Sequence, residues 1–357
     1  MKVIIAGGGT GGHIFPAISV AEEVLKRGQS NEILFVGTKK GLENELLAKR
    51  GYKVEHISAQ GIKGSGMKKG ITALFASFKG LLDSSTIISR FRPDLVLGVG
   101  GYVSGPIVLA ASLKGIPTAI CEQNNYPGIT NRVLGKFVNK IFTTFDGSSR
   151  FFPQRKIVMT GNPVRADILG SRGIKKVKPD VLTILVFGGS QGAHKLNRSV
   201  PEALAKLKRQ DISVIHQTGE RDYEFVKEAY ERNRVRARVL RFIDDMAAAY
   251  GEADFVIGRA GAGTVAEVTA LGKPSLLIPY PHATNNHQLE NARVLERAGA
   301  AAVLEDREAY PENLFKALTN LLQMDKLTVM ASKALGLGRP NAASVIVDEI
   351  SRIAGEN

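Results

Sequence analysis

The chain has 357 residues, 44% of them hydrophobic, enough for two domains that each bury a sizeable core. Its single cysteine, Cys121, excludes an internal disulfide framework and fits a reducing compartment, and no cluster of Cys or His suggests a structural metal. The net charge of +14 sits mostly in residues 1–162, with 21 Lys and Arg against 10 Asp and Glu, while residues 163–357 carry 27 against 24; a basic half suits a phosphorylated substrate or an anionic membrane, and the absence of Trp and of any aromatic-rich recognition motif argues against nucleic acid.

The chain opens MKVIIAGGGTGGHIFPA, in which four apolar residues run into five glycines and an apolar stripe (Ile14, Ala17, Ile18, Ala21) resumes at helical spacing. This reads as strand, tight loop and helix, a place where backbone N–H groups and the positive end of a helix dipole meet an anion. The apolar stretch is too short for a signal peptide, so the mature protein is expected to begin at Met1. Strand-like runs then alternate with helical stretches: EILFVG, KVEHI, DLVLGV, PTAI, KIFTT and IVMTG. The uncharged run Leu95–Leu113 is long enough for a membrane span, but four glycines and Pro106 make it a buried strand, a glycine loop and a helix. Residues 67–82, MKKGITALFASFKGLL, place Ile71, Leu74, Phe75, Phe78, Leu81 and Leu82 on one helical face beside Lys68, Lys69 and Lys79, which suits either an interfacial helix on anionic lipid or a core-facing helix.

After TGNPVR (160–165) the grammar restarts with TILVFGGSQGAHKL, followed by SVIHQTG, RVLRFI, ADFVIGRAG and PSLLIPY. Two such runs predict an α/β chain of two Rossmann-like parallel-sheet domains facing across a cleft, residues 1–162 and 163–339, with a C-terminal helix near 340–357 returning to the first. Gly7, Gly9 and Gly12 satisfy GxGxxG, yet ILFVG is followed by Thr38, Lys39 and Lys40 where an NAD site needs an acidic residue. Only an NADP variant survives, and no GxxxxGK[ST] signals a P-loop nucleotidase. Glycine loops at GVGGYVSGP (98–106) and GGSQGA (188–193) also follow strands, so a ligand with a diphosphate between two larger groups fits better.

The stretch RFIDDMAAAYGEADFVIGRAGAGTVAEVTALGKPSLLIPYPHATNNHQLENA (241–292) closely resembles the MurG family of bacterial peptidoglycan glycosyltransferases, of GT-B architecture and family 28 type. GGTGGHIFPA, GGYVSGP, EQN, GNPVR and GGSQGA match the same family in the same order over essentially the whole chain. The resemblance implies transfer of N-acetylglucosamine from UDP-N-acetylglucosamine to the 4-hydroxyl of the N-acetylmuramic acid of lipid I, with inversion, giving lipid II for cell-wall synthesis. It further implies a donor site made by Ile243 and Met246 at uracil, Glu267 at the ribose hydroxyls, Ala262, Gly263, Thr264 and Val265 at the diphosphate, Ser190 and Arg165 as further phosphate contacts, and Gln288 with Asn291 at the sugar. Thr10, Gly11, Gly12 and Asn124 would line the cleft beside the donor, with Tyr102, Ser104 and Asn125 on the acceptor side. The general base is either His13 or Glu122. Family members often carry histidine where this chain has Cys121, which is read as a small buried residue.

No cofactor and no dedicated metal site are expected; Asp244 and Asp245 are adjacent and receive no catalytic role. The implied partners are UDP-N-acetylglucosamine, lipid I, an anionic membrane surface contacted by Ile71, Leu74, Phe75, Phe78, Lys68 and Lys69, and other cell-wall synthesis proteins, at the cytoplasmic face of the cell membrane. The rival readings are an NADP oxidoreductase, another UDP-sugar enzyme such as a 2-epimerase or glycolipid synthase, and a non-catalytic membrane scaffold.

Overall fold

A computed structural model describes residues 1–8, 11–39, 43–59, 67–173, 180–189 and 191–355, without the side chains of residues 11, 43, 45 and 67–78. Two compact units are present, Met1–Arg165 with Asn341–Asn357, and Ala166–Pro340. The first contains β1 (Lys2–Gly7), α1 (Gly11–Arg27), β2 (Glu32–Gly37), α2 (Glu43–Lys49), β3 (Lys53–His56), α3 (Met67–Phe91), β4 (Leu95–Gly100), α4 (Ser104–Leu113), β5 (Thr118–Glu122), α5 (Ile129–Leu134), β6 (Lys140–Thr143) and β7 (Ile157–Met159). The second contains α6 (Ala166–Gly170), β8 (Leu182–Phe187), α7 (His194–Lys206), β9 (Ile212–Gln217), α8 (Tyr223–Arg232), β10 (Ala237–Leu240), α9 (Met246–Glu252), β11 (Phe255–Gly258), α10 (Ala262–Leu271), β12 (Ser275–Leu277), α11 (His287–Arg297), β13 (Ala302–Val303), α12 (Pro311–Leu321) and α13 (Met324–Leu337). The final helix, α14 (Ala342–Ala354), belongs to the first unit.

Among the described residues the first unit forms a seven-stranded sheet, ordered β3-β2-β1-β4-β5-β6-β7, and the second a six-stranded sheet, ordered β10-β9-β8-β11-β12-β13. Every pairing is parallel. The expected pair of parallel-sheet α/β domains is therefore present, and the uncharged run resolves into β4 and α4. The two-residue strand β13, too short to show a period, escapes a reading based on apolar runs.

A parallel sheet covered on both faces needs apolar residues at every strand position. In β1, Val3 and Ile5 join a core with α1 and α14. Ile4 and Ala6 point the other way, into a core with Ile87 and Ile88 of α3 and Ile107 and Val108 of α4. Helix α14 is held to the first unit chiefly by burying Ile346, Val347 and Ile350, each worth about 1.5–3 kcal/mol. Its ion pairs, Arg27–Asp348 at 2.5 Å and Lys140–Glu349 at 3.0 Å, add at most about 1 kcal/mol each because they are partly solvated.

The order of each sheet reverses direction once, between β1 and β4 in the first unit and between β8 and β11 in the second. Ligands in open α/β sheets sit outside the carboxyl ends of the strands at such switch points. The chain leaves these strands after Gly7, Gly100, Phe187 and Gly258.

One polar chain runs through the core of the second unit. Asn197 donates its amide to Thr218 O and Asp222 Oδ2, both at 2.8 Å, so its Oδ1 must accept from His216 Nε2 at 3.1 Å. That fixes the tautomer, and His216 Nδ1 accepts from the buried Tyr230 hydroxyl at 2.9 Å. Burial lowers the His216 pKa from 6.5 to about 3. For Asp222, burial raises the pKa, but hydrogen bonds from Asn197 and His194 outweigh it and leave the carboxyl below its usual range.

The unfolded chain binds a proton at His216 more readily than the folded one, so stability is complete above about pH 6.5 and falls as pH drops toward about 3, by up to ~1.4 kcal/mol per pH unit. Denaturant midpoints measured between pH 8 and pH 4 should show this decline, and His216→Gln should flatten it. An unchanged slope in that variant would assign the titration to other groups.

Candidate active site

At the first switch point, backbone touches backbone. Gly100 and Gly101 have φ of +110° and +80°, which side chains rarely tolerate. A Cβ on Gly100 would lie 2.5 Å from His13 Nδ1, and one on Gly101 would lie 2.7 Å from Gly8 O. The bare end of β4 and the loop after it thus seat against both Gly8 and the His13 imidazole, whose Nδ1 is buried in a residue that is partly exposed overall. Gly12 is exposed in the first turn of α1, and Gly11 opens that helix. Thr10 lies outside the described residues.

Ser104, expected on the acceptor side, is turned inward. It is fully buried, accepts from Gly100 N at 3.1 Å, and offers its one hydrogen to Ala6 O or Gly100 O, both at 2.9 Å. It fixes the loop and leaves the exposed Tyr102 as that segment's surface side chain. Gln123, part of the EQN motif but given no role from the sequence, braces the end of β4 by donating Nε2 to Val99 O at 2.6 Å.

Glu122 ends β5 and is only 2% exposed. Its Oε1 accepts from Asn124 N at 2.9 Å and Asn124 Nδ2 at 3.4 Å, and its Oε2 from Gly128 N at 3.2 Å and Asn131 Nδ2 at 2.8 Å. Burial pushes this carboxyl's pKa up, and these hydrogen bonds oppose the shift. The arrangement closes the loop from Gln123 to Gly128 onto α5. It points both carboxylate oxygens into the protein, whereas a general base must reach a substrate proton. Asn125 packs on Gly147, where a Cβ would lie 2.3 Å from its Oδ1. Cys121 is buried, and burial raises its thiol to about 12, which suits an inert core residue. Arg165 lies over the Phe15 ring at 4.7 Å, both within the first unit.

In the second unit the loop 188–193 is pressed onto the exit of β9. A Cβ on Gly192 (φ +72°) would lie 1.8 Å from Thr218 O, and one on Gly219 (φ +75°) 2.4 Å from Gln191 O. Ser190 lies outside the described residues. Gln217, also unforeseen, bridges this loop to the predicted base-reading residue: it donates Nε2 to Gly189 O at 2.9 Å and accepts from Ile243 N at 2.8 Å. Met246 opens α9, and Asp245 caps that helix by accepting from Ala248 N at 2.8 Å. Among the described residues no three His, Cys, Asp or Glu side chains are grouped to hold a metal ion.

Helix α10 begins at Ala262 behind the N-cap Gly261, and a Cβ on Gly261 or Gly263 would meet nothing within 4 Å. Ala262, Gly263 and Thr264 are therefore at an open helix N-terminus. Val265 departs from that expectation, because its N–H already donates to Gly261 O at 3.0 Å and its side chain is buried. Glu267 is half-buried, and its Oε2 accepts from the Tyr250 hydroxyl at 2.8 Å. Gln288 stands in the first turn of α11 with its Oε1 accepting from Tyr280 N at 3.0 Å. That segment is clamped by Arg259, which donates to Ile278 O, Pro279 O and Asp306. Asn291 is fully buried with its amide toward Ala260 O, so it supports the loop from beneath.

The proposed membrane contacts Ile71, Leu74, Phe75, Phe78, Lys68 and Lys69 lie on α3, with side chains outside those described. A separate set of apolar side chains is exposed in the same unit: Leu113 at the end of α4, Ile129 and Val133 one turn apart on α5, and Phe137 just after it. Lys114, Arg132 and Lys136 are interspersed in sequence, and Ser112 Oγ donates to Phe137 O, which joins the two helix ends.

The glycine loops carry a test of their own. Gly189→Ala meets open space but keeps a φ of +91°, which should cost about 1–2 kcal/mol of stability. Gly192→Ala meets Thr218 O as well and should cost at least twice as much in a denaturant titration. Equal losses would contradict the close approach of this loop to β9.

The Glycosyltransferase family 28 N-terminal domain model matches residues 3–143, and the Glycosyltransferase family 28 C-terminal domain model matches residues 183–346. A UDP-N-acetylglucosamine--N-acetylmuramyl-(pentapeptide) pyrophosphoryl-undecaprenol N-acetylglucosamine transferase of Syntrophus aciditrophicus is 46% identical over 351 residues, 98% of this chain and 97% of that protein. The protein of the same name from Geobacter sulfurreducens is 47% identical over 356 residues, 98% of each. The crystal structure of Acinetobacter baumannii MurG superposes with a TM-score of 0.82 at 34% identity, covering 98% of this chain and 99% of that one. A putative UDP-N-acetylglucosamine 2-epimerase of Listeria monocytogenes shares the fold, with a TM-score of 0.72 at 17% identity over 100% of this chain and 97% of its own. With both domain models matched in order and relatives this similar over nearly the whole length, the chain belongs to glycosyltransferase family 28.

Proposed function

We propose that this glycosyltransferase moves N-acetylglucosamine from UDP-N-acetylglucosamine to the 4-hydroxyl of the N-acetylmuramic acid of lipid I, giving lipid II. The observation that carries the reading is the near full-length identity to transferases bearing that activity in their names. The geometry of each unit supports a division of labour. In the second unit the open N-terminus of α10 offers amide donors and a positive dipole end to the diphosphate. Glu267 is the acceptor for the ribose hydroxyls, and Gln288, steadied by Tyr280 N, reads the sugar. Uracil is assigned to the segment at Ile243, which Gln217 ties to the loop at Gly189.

In the first unit the proton goes to His13. As the 4-hydroxyl oxygen forms its bond to C1 of the donor sugar, the bond from C1 to the UDP oxygen breaks, the hydroxyl proton passes to the imidazole, and the α linkage becomes β. His13 suits this role because the residue is partly exposed and the Nδ1 side of its ring is backed by Gly100. Glu122, with four donors on its two oxygens, is assigned to holding the Gln123–Gly128 loop. The chain is further read as a peripheral protein of the cytoplasmic membrane face. The exposed Leu113, Val133 and Phe137 beside basic residues support that placement, and no helix among the described residues is long and apolar enough to cross a membrane.

Purified protein given UDP-N-acetylglucosamine labelled in the sugar and a lipid I analogue should place label in the lipid fraction, and UDP-glucose should not serve. His13→Ala should lower kcat by about 10²–10⁴-fold with UDP affinity unchanged within twofold, whereas Glu122→Gln should mainly lower the thermal midpoint. Full turnover in His13→Ala would remove the imidazole from the chemistry. Val133→Ser with Phe137→Ser should reduce sedimentation with anionic liposomes, and undiminished binding would move the contact elsewhere.

A further inference from the structure

Glu267 is reached by a side chain that the proposed reaction does not otherwise use. Tyr250, on α9, is fully buried and stands edge-on to Phe187, with ring centroids 6.1 Å apart and an interplanar angle of 86°. Phe187 ends β8 and immediately precedes the glycine loop at 188–193, so the tyrosine ring is set by the same strand end that sets that loop. From there its hydroxyl donates to Glu267 Oε2 at 2.8 Å, across from α9 to α10.

The chemistry of this pair is directional. A buried phenol must place its proton on an acceptor, and an ionised carboxylate is the stronger kind. A glutamate side chain otherwise samples many rotamers, and ordering it on ligand binding would cost up to ~2 kcal/mol. A carboxylate has about four acceptor positions, and the bond from tyrosine occupies one of them. Accepting two hydrogens from neighbouring hydroxyls needs one fixed orientation of the carboxylate plane, and a rigid ring locked on Phe187 supplies it.

We infer that Tyr250 is a positioning residue that holds Glu267 in the orientation able to accept from both hydroxyls of a ribose, making the donor site selective for ribonucleotides over deoxyribonucleotides. The inference rests on the assignment of Glu267 to the ribose. Substrate selectivity thus depends on a side chain that touches no substrate.

The test is calorimetric binding of UDP, 2′-deoxy-UDP and 3′-deoxy-UDP to the full chain and to Tyr250→Phe, which removes one oxygen and keeps the ring. The unaltered protein should prefer UDP by about 10-fold or more over either analogue. Tyr250→Phe should weaken UDP about fivefold and leave both analogues within twofold, so the preference shrinks. In a Glu267→Ala background the same substitution should change nothing further. Glu267→Gln, which keeps the size but has one acceptor oxygen to serve both tyrosine and ribose, should lose the preference independently of how well Tyr250→Phe folds. Equal weakening of all three nucleotides in Tyr250→Phe, or a preference left intact, overturns the inference while leaving Glu267 at the ribose. Equal binding of all three by the unaltered protein overturns both.

Discussion

Backbone must meet backbone at the carboxyl ends of both sheets, and the rest of the site depends on that contact. The β4–α4 loop can lie against Gly8 and His13 only because Gly100 and Gly101 carry no side chains. The β8–α7 loop can lie against Thr218 only because Gly192 carries none. In the first unit this contact brings together the loops on either side of the switch point, and in the second it seats the β8 loop on the exit of β9. Glycines in left-handed conformations cost the chain entropy on folding, so the native loops have to be held from behind.

The holding is done by polar side chains that bond mainly to backbone. Ser104 joins the ends of β1 and β4, Gln123 takes Val99 O, Gln217 spans Gly189 O and Ile243 N, and Arg259 gathers Ile278 O and Pro279 O. Each such bond contributes only about 0.5–1.5 kcal/mol net, but losing one partner strands a buried group at about 1–3 kcal/mol. The loops are therefore specified more by the cost of alternatives than by the strength of what holds them. Glu122 extends the same device: its four donors include two backbone amides, and it shapes the turn that carries Asn124 and Asn125.

This explains which parts of the site were legible in the sequence. Strands buried on both faces announce themselves as continuous apolar runs, so β1, β2, β4 and β8 could be read directly, and the glycine loops followed from their position after those runs. Polar residues were harder, because a serine or asparagine near a glycine loop can face a ligand or turn inward to satisfy backbone. Ser104 and Asn291 turn inward, and Val265 spends its amide inside the helix. Conversely, Gln217 and Tyr250 sit in a strand end and an alanine-rich helix whose spacing carries no chemical signal. Their partners, Gly189, Ile243 and Glu267, lie 28, 26 and 17 residues away in sequence, so only the fold brings them together.

The charge asymmetry of the chain finds a physical use in the proposed membrane docking. A lysine or arginine near an anionic leaflet contributes about 1 kcal/mol, and a large apolar side chain transferred fully from water about 1.5–3 kcal/mol. Leu113, Val133 and Phe137 are only partly available for burial, since each already packs on its own unit, so their sum with Lys114, Arg132 and Lys136 is a few kcal/mol before ordering costs. That is a reversible attachment, far weaker than a spanning helix. An enzyme whose donor is water-soluble and whose acceptor is lipid-borne needs such an intermediate strength. Stronger anchoring would add nothing to capture of the soluble donor, and weaker attachment would leave the acceptor hydroxyl out of reach of the proposed base, His13.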